Sequence, residues 1–452
     1  MWRKIQMELA AWYRRDDRKP LIIRGARQVG KSTLVQLAAE QLGLRLLTVN
    51  LEEPTPLAAP LARGDIDEVV LSLDLHFDVD LRKNSCLLFF DEIQARPEVI
   101  ALLRYFYEKY PQIAVVAAGS LLDFELSAPG FSMPVGRTEF LHLGPMNFEE
   151  FLAATGQQRL LNYLQTYSLA DEFNETAHLK LSEYLRHYLL VGGMPAVVKH
   201  WAETADLNEA FRLKSNLTTA FALDFHKYRG KVDTGLLTRL YTALPAMVGR
   251  KIKYSEMAPD VRVEKTKHAL QQLYLARIAY GVNHTSAQGL PLAATQNPKV
   301  AKPLCLDVGL MLSQLGLSPS AVLESRDITL INEGQLAEQF IGQHLLYSAP
   351  VYREPALYYW VREGRSNAEL DFVTDCAGRI CAVEVKSGKG SALRSLHQFM
   401  MFHPQAIAVR FNGEKPVCSK IDVKLPNGSA AYKLLSLPHY LVTRLPQLVE
   451  QL

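Results

Sequence analysis

Two sets of residues in this chain of 452 have types and spacings that could do chemistry. The first lies in PLIIRGARQVGKSTLVQLAAE, where Gly25, Gly30, Lys31 and Ser32 satisfy the spacing GxxxxGK[ST]. The loop Gly25, Ala26, Arg27, Gln28, Val29, Gly30 follows the apolar run LIIRG and leads straight into a helical pattern at Thr33, Leu34 and Val35. A loop in that setting can turn backbone N–H groups around a phosphate, and the helix N-terminus adds its dipole. Lys31 would reach the β- and γ-phosphates, and Ser32 would hold Mg²⁺ through its hydroxyl. The second set lies in ICAVEVKSG, an apolar strand pattern that carries Glu384 and Lys386. Residues two apart in a strand share a face, so a carboxylate and an ammonium stand side by side. Either they neutralise each other as a structural pair, or they are half of an active site.

Both sets have company. NSCLLFFDEIQ is a nearly continuous apolar run ending in Asp91 and Glu92, as suits a parallel strand covered on both faces. Asp91 would contact Mg²⁺, and Glu92 would orient and polarise the attacking water. QIAVVAAGSLLDFEL ends at Gly119-Ser120, where Ser120 could sense the γ-phosphate or simply make the turn. FSMPVGRTEFLHLGPMNFEEFL contains Arg137, which would stabilise transition-state charge on its own or a neighbour's nucleotide, or form a structural salt bridge.

Asp371, in the strand pattern AELDFVTD, precedes Glu384 and Lys386 in the spacing D-x12-E-x-K, which matches the PD-(D/E)XK nuclease pattern. A turn at Arg365-Ser366-Asn367 and another at Ala377-Gly378 bound that strand, and INEGQLAEQFIGQHLL is a helix carrying Glu338. Asp371 and Glu384, with Glu338, would hold one or two Mg²⁺ ions through hard oxygen ligands, and Lys386 would place the water or neutralise developing charge. The competing reading is a salt-bridged Glu384–Lys386 pair that needs no metal.

The run from RGARQVGKSTL through FFDEIQ, AAGSLL, PVGRTEFL and PMNFEEFL resembles a family of prokaryotic AAA-type P-loop ATPases. The likeness extends to YLLVGGMPAVV and AKPLCLDVGLM and so covers most of the chain. The resemblance implies ATP binding and hydrolysis, followed by a long C-terminal region ending in a nuclease-like fold.

The elements that must position these residues divide the chain as an α/β protein in four parts. Residues 1–150 read as a P-loop NTPase domain with a parallel sheet. Residues 151–230 read as a helical lid, with leucine and aromatic residues at spacings of three and four, interrupted at LVGGMPAVV. Residues 231–325 read as a winged helix: TGLLTRLYTALPAMVG, YSEMA and VEKTKHALQQLYLARI as helices, then IAYGVNH and LAATQN as the wing. Its third helix would meet DNA through Arg262, Lys265 and Lys267. Residues 326–452 read as a PD-(D/E)XK restriction-endonuclease-like α/β domain.

Composition narrows the partners. The net charge is only +3, yet Arg212 to Arg277 holds thirteen Lys/Arg against five Asp/Glu. That segment is a candidate nucleic-acid surface or a solvated helical face. Five scattered cysteines show no zinc spacing or disulfide framework, as expected in the cytoplasm. The first twenty residues form no signal-peptide core, and no run of 18 apolar residues exists, so no membrane partner is expected. The expected function is an ATPase coupled to a nuclease-like domain acting on or near DNA, with a homo-oligomer required if Arg137 acts in trans. The alternative is a nucleotide-dependent switch or interaction scaffold with an inert nuclease-like fold.

Overall fold

The structure is a computed structural model that describes residues 1–83, 85–126, 135–228, 233–317, 334–362, 368–387 and 393–452. The turn expected at 365–367 lies outside these residues, as do the boundaries at 230/231 and 325/326.

Two sheets organise the chain. The first contains β1 (Leu21–Arg24), β2 (Arg45–Asn50), β3 (Cys86–Asp91), β4 (Ala114–Gly119) and β5 (Glu139–His142) in the order β2-β3-β4-β1-β5. Every pairing is parallel. The strands CLLFFD and AVVAAG are apolar nearly throughout because both faces are covered. Ile22, Leu88, Phe90, Val115 and Ala117 pack against the helices Ile66–Phe77 and Pro97–Lys109. Ile23, Phe89, Val116 and Ala118 join the main core on the other face.

The helices Phe148–Ala154, Gln158–Thr166, Glu175–Val191, Pro195–Thr204 and Leu207–Asp224 follow. Gly192 sits at φ 82, and Gly193 passes so close to Met146 that an added Cβ would stand 2.2 Å from its carbonyl oxygen. The Gly-Gly-Met-Pro stretch is therefore a close-packed joint between the helices and the first domain. Pro195 then starts the next helix at a position where its missing N–H costs nothing.

The helices Thr234–Ala243, Tyr254–Met257 and Val263–Leu275 come next. In the last, Thr266, Ala269, Leu270 and Leu273 are buried, while Val263 is exposed. The strands beyond differ from a free-standing wing. β6 (Ala279–Thr285) pairs antiparallel with β7 (Gln296–Cys305), and LAAT of the expected second strand is a 3-10 turn instead. The strand runs on through the residues AKPLC. Moreover, β6 pairs parallel with β8 (Tyr358–Val361), so the sheet crosses the expected boundary at 325/326.

That second sheet is completed by β9 (Glu369–Cys376), β10 (Arg379–Val385), β11 (Ile407–Asn412), β12 (Val417–Leu425) and β13 (Gly428–Pro438). Its order is β12-β13-β11-β10-β9-β8-β6-β7. β9 and β10 form a hairpin through Ala377 and Gly378, both at positive φ as a two-residue turn requires. The helix Gln335–Leu346 packs against this sheet on one side and reaches the first domain through Phe148, whose N–H donates to His344 Nε2 at 3.0 Å.

Candidate functional site

The phosphate loop occupies the C-terminal edge of the first sheet, between β1 and the helix Lys31–Leu42. Its backbone is bent by Gln28 at φ 63 and Gly30 at φ 90. Gly30 caps the helix without any side-chain hydrogen bond to the first turn, so the helix N–H groups are not capped by a side chain. Gly25 has a different reason to be glycine. A Cβ there would stand 2.2 Å from the Leu143 carbonyl oxygen, where the chain leaves β5. The loop is also braced from outside. Arg3 donates through Nη1 to the Val29 carbonyl at 3.0 Å and through Nη2 to Gly144 at 2.8 Å, while its Nε lies 3.0 Å from Glu150 Oε2.

Lys31 is buried, and its ammonium donates to the carbonyls of Gly25 and Ala26 at 3.1 and 2.8 Å. Burial pushes its pKa down to about 8, with Glu92 and Asp91 pulling the other way. Ser32 Oγ donates to Asp91 Oδ2 at 2.7 Å, which sets a hydroxyl and a carboxylate side by side at the end of β3. Burial raises the Asp91 pKa against the Ser32 hydrogen bond. This hydroxyl–carboxylate pair fits a Mg²⁺ that is completed by phosphate oxygens.

Glu92 sits beyond the strand in the left-handed region at φ 52, costly for a residue that is not glycine. Gln94 Nε2 donates to Glu92 Oε2 at 2.5 Å, and Ser120 Oγ donates to the same oxygen at 3.4 Å. Arg27 Nε in turn donates to Ser120 Oγ at 3.1 Å, and Arg27 Nη1 reaches Asp224 Oδ1 at 2.7 Å. Lys31, Ser32, Asp91, Glu92 and Ser120 thus lie at one sheet edge. Thr33 is exposed in the first turn of the helix.

Arg137 does not join them. It precedes β5 at the end where Glu139 faces Leu21, the opposite edge from the phosphate loop. Its Nε lies 2.9 Å from Glu108 Oε1. It therefore stands apart from the group Lys31, Ser32, Asp91, Glu92 and Ser120 and makes the salt bridge that was the other expectation for it.

In the second sheet, Asp371 on β9 and Glu384 on β10 come together with Glu338 of the helix Gln335–Leu346. Asp371 Oδ2 accepts from the Val385 N–H at 2.7 Å. Lys386 Nζ donates to Glu384 Oε1 at 2.6 Å, and Glu384 Oε2 is buried without a hydrogen-bond partner. Burial and then the neighbouring Asp371 raise the pKa of both Glu338 and Glu384. Burial raises that of Asp371. Sequence reasoning missed Lys302 of β7, whose Nζ lies 2.6 Å from Glu369 Oε1, and Lys251, 2.9 Å from Glu369 Oε2. Among the described residues, no three His, Cys, Asp or Glu side chains are arranged to hold a metal ion. Of the expected metal set Glu338, Asp371 and Glu384, the Val385 N–H engages one oxygen of Asp371 and Lys386 one oxygen of Glu384, while Glu384 Oε2 has no hydrogen bond.

An ion-pair hub ties the parts together. Arg24 of β1 pairs with Asp123 and Glu354, and Arg277, after the helix Val263–Leu275, pairs with Asp123 at 2.5 Å and Glu354 at 2.6 Å. Among the described residues, no helix is long and apolar enough to cross a membrane.

Residues 17–152 match the model of a family described as an AAA domain. Residues 182–321 and 333–427 match two domains of unknown function, DUF8612 and DUF4143. No curated protein sequence matches the chain. Among solved structures, the Walker-type ATPase paby2304 of Pyrococcus abyssi is similar at 15% identity and a TM-score of 0.42, over 69% of this chain and 93% of that one. A RuvB variant of Thermotoga maritima is similar at 15% identity and a TM-score of 0.30, over 62% and 89%. The stretch that matches the AAA-domain model, residues 17–152, is thus the one that carries the parallel five-stranded sheet and the phosphate loop.

Proposed function

We propose that the chain binds ATP with Mg²⁺ and hydrolyses it at the C-terminal edge of the first sheet. The observation that carries this reading is the Ser32–Asp91 hydrogen bond of 2.7 Å, with Glu92 next in the chain. Ser32 and Asp91 would hold Mg²⁺, which supplies positive charge to the phosphate oxygens. Lys31 exchanges the loop carbonyls for phosphate oxygens and sets its ammonium against them. Glu92 accepts a hydrogen bond from the attacking water and orients it. Ser120 and Arg27, linked to Glu92 and to Asp224, carry the state of that carboxylate to the helix Leu207–Asp224.

The test is steady-state ATP hydrolysis with wild type, Lys31→Ala and Glu92→Gln. Glu92→Gln keeps ATP binding and loses turnover by about a hundredfold or more. Lys31→Ala loses binding. Turnover that survives Glu92→Gln would refute the assignment.

For the rest of the chain, the lysine-engaged carboxylates favour a nucleotide-dependent switch with an inert nuclease-like domain. A second reading, cleavage of DNA by Asp371, Glu384 and Lys386, is favoured by the buried, unpartnered Glu384 Oε2. Arg262, Lys265 and Lys267 are exposed at the start of their helix, as a DNA contact needs. Incubation of linear, circular and single-stranded DNA with Mg²⁺ or Mn²⁺, beside Glu384→Ala, separates the two. Cleavage lost in Glu384→Ala establishes the second reading.

A further inference from the structure

Lys302 is the most deeply set cation of the carboxylate cluster. Its side chain is 4% exposed, its Nζ lies 2.6 Å from Glu369 Oε1, and it stands 4.9 Å over the Tyr359 ring. Lys386, by contrast, is 26% exposed and sits at the rim with Glu384. Lys302 comes from β7, far from the carboxylates in sequence, and its charge acts on Asp371, Glu338 and Glu369 together. The same middle stretch supplies Lys251 to Glu369, and Gly249 is so close that a Cβ would stand 2.5 Å from Glu338 Oε2.

Buried carboxylates of like charge need cations. A protein ammonium and a hard divalent cation are alternative ways to supply that charge, and each repels the other across a few ångströms of poorly screened interior. Glu384, only 6% exposed, keeps one oxygen without any hydrogen bond, so the internal neutralisation stops short of that atom.

We propose that the Lys302 ammonium neutralises Glu338, Asp371 and Glu369 from within the protein, and that a divalent cation binds this cluster tightly only when that ammonium is removed. The inference rests on the reading of Asp371 and Glu384 as carboxylates able to bind a cation. It makes the cluster a composite of the middle and C-terminal segments, with the middle segment deciding whether metal enters. The 2.6 Å contact to Glu369 is the physical latch.

The experiment is a calorimetric titration of Mn²⁺ into the full-length chain without nucleotide. Wild type, Lys302→Met and Lys302→Arg are compared, each with and without Asp371→Asn. Lys302→Met binds Mn²⁺ at least about tenfold more tightly than wild type. The gain disappears when Asp371→Asn is added, and Lys302→Arg behaves as wild type. In melting experiments Lys302→Met unfolds below wild type in EDTA and is restored by Mn²⁺, whereas wild type does not respond. If the methionine variant fails to fold, Lys302→Gln, which keeps a donor for Glu369 without the charge, carries the same expectation. Equal tight binding by wild type and the neutral variants overturns the role of Lys302 and leaves the cation-binding reading intact. Binding by none of them overturns both.

Discussion

At the scale of the residue, Glu92 and Gln94 form the unit on which the proposed turnover would depend. Glu92 holds a left-handed backbone, and Gln94 donates to its side chain at 2.5 Å. Gln94 is itself wedged against Gly119, where a Cβ would lie 2.4 Å from its Oε1. The carboxylate is thus aimed by the side chain two residues further along the chain. Gln94→Leu lowers kcat about ten- to hundredfold while ATP affinity stays within about twofold, as turnover and equilibrium binding assays would read. An equal loss in both would mean that Gln94 only supports the fold. That Lys31, Ser32, Asp91 and Glu92 lie at one sheet edge was legible because the phosphate loop has its strand and helix contiguous in sequence, and Asp91 and Glu92 close an apolar strand. Arg3, Arg27 and Lys302 were not singled out for the roles they take. Arg3 braces a loop 26 residues away, Arg27 bonds across 197 residues to Asp224, and Lys302 meets Glu369 from another strand. A lone Lys or Arg in a sequence reads as solvated surface, because nothing local announces its partner.

At the scale of the element, the phosphate loop is held by close backbone approaches as much as by its hydrogen bonds. Gly25 permits the contact with Leu143 that joins β1 to the exit of β5, and Leu143 N–H donates to the Arg24 carbonyl at 2.8 Å. Gly25→Ala therefore displaces one strand end or the other. It costs about 1–3 kcal/mol and weakens ATP binding, as thermal melting and nucleotide titration would show. An alanine variant that melts and binds as wild type would exclude this packing role. The strand β10 and the Ala377-Gly378 turn were readable from apolar content and turn residues. The pairing of β6 with β8 was not, because parallel neighbours far apart in sequence share no turn to mark them. β7 was obscured as well, since Lys299, Lys302 and two prolines interrupt its apolar pattern. The hairpin of β12 and β13 did carry a signal, in the alternation of VCSKIDVKL and the following Asn427-Gly428, which the domain pattern left unused.

At the scale of the whole molecule, Lys214 shows how the helices Leu207–Asp224 and Glu175–Val191 are locked together. Its side chain is fully buried on the helix Leu207–Asp224, its ammonium donates to the Leu190 carbonyl at 2.5 Å, and it stands 3.7 Å over the Phe211 ring. Burial pushes its pKa from 10.5 down to about 7, with Asp307 opposing. Between those values the unfolded chain holds a proton that the folded chain has released. Stability therefore rises as pH increases through this window, and the cost of the buried charge is full below it. Between pH values of about 7 and 8.5, wild type gains about 1–2 kcal/mol from this group, and Lys214→Met flattens the rise. Melting temperatures across that range would test it, and an identical slope in the variant would assign the rise to other groups.

The parallel pairing of β6 with β8 also sets an order of events during synthesis. The first sheet is complete once residue 142 has emerged from the ribosome, and it can close early. The β6–β7 hairpin emerges next, with one long edge of β6 open. The strand that covers that edge begins only at Tyr358, more than fifty residues after β7 ends at Cys305. Through that interval the nascent chain carries an exposed template for strand addition, and Lys302, destined for the centre of an acidic cluster, lacks its ion-pair partner Glu369. The phosphate loop can thus be formed and able to bind nucleotide while the C-terminal half is still being made.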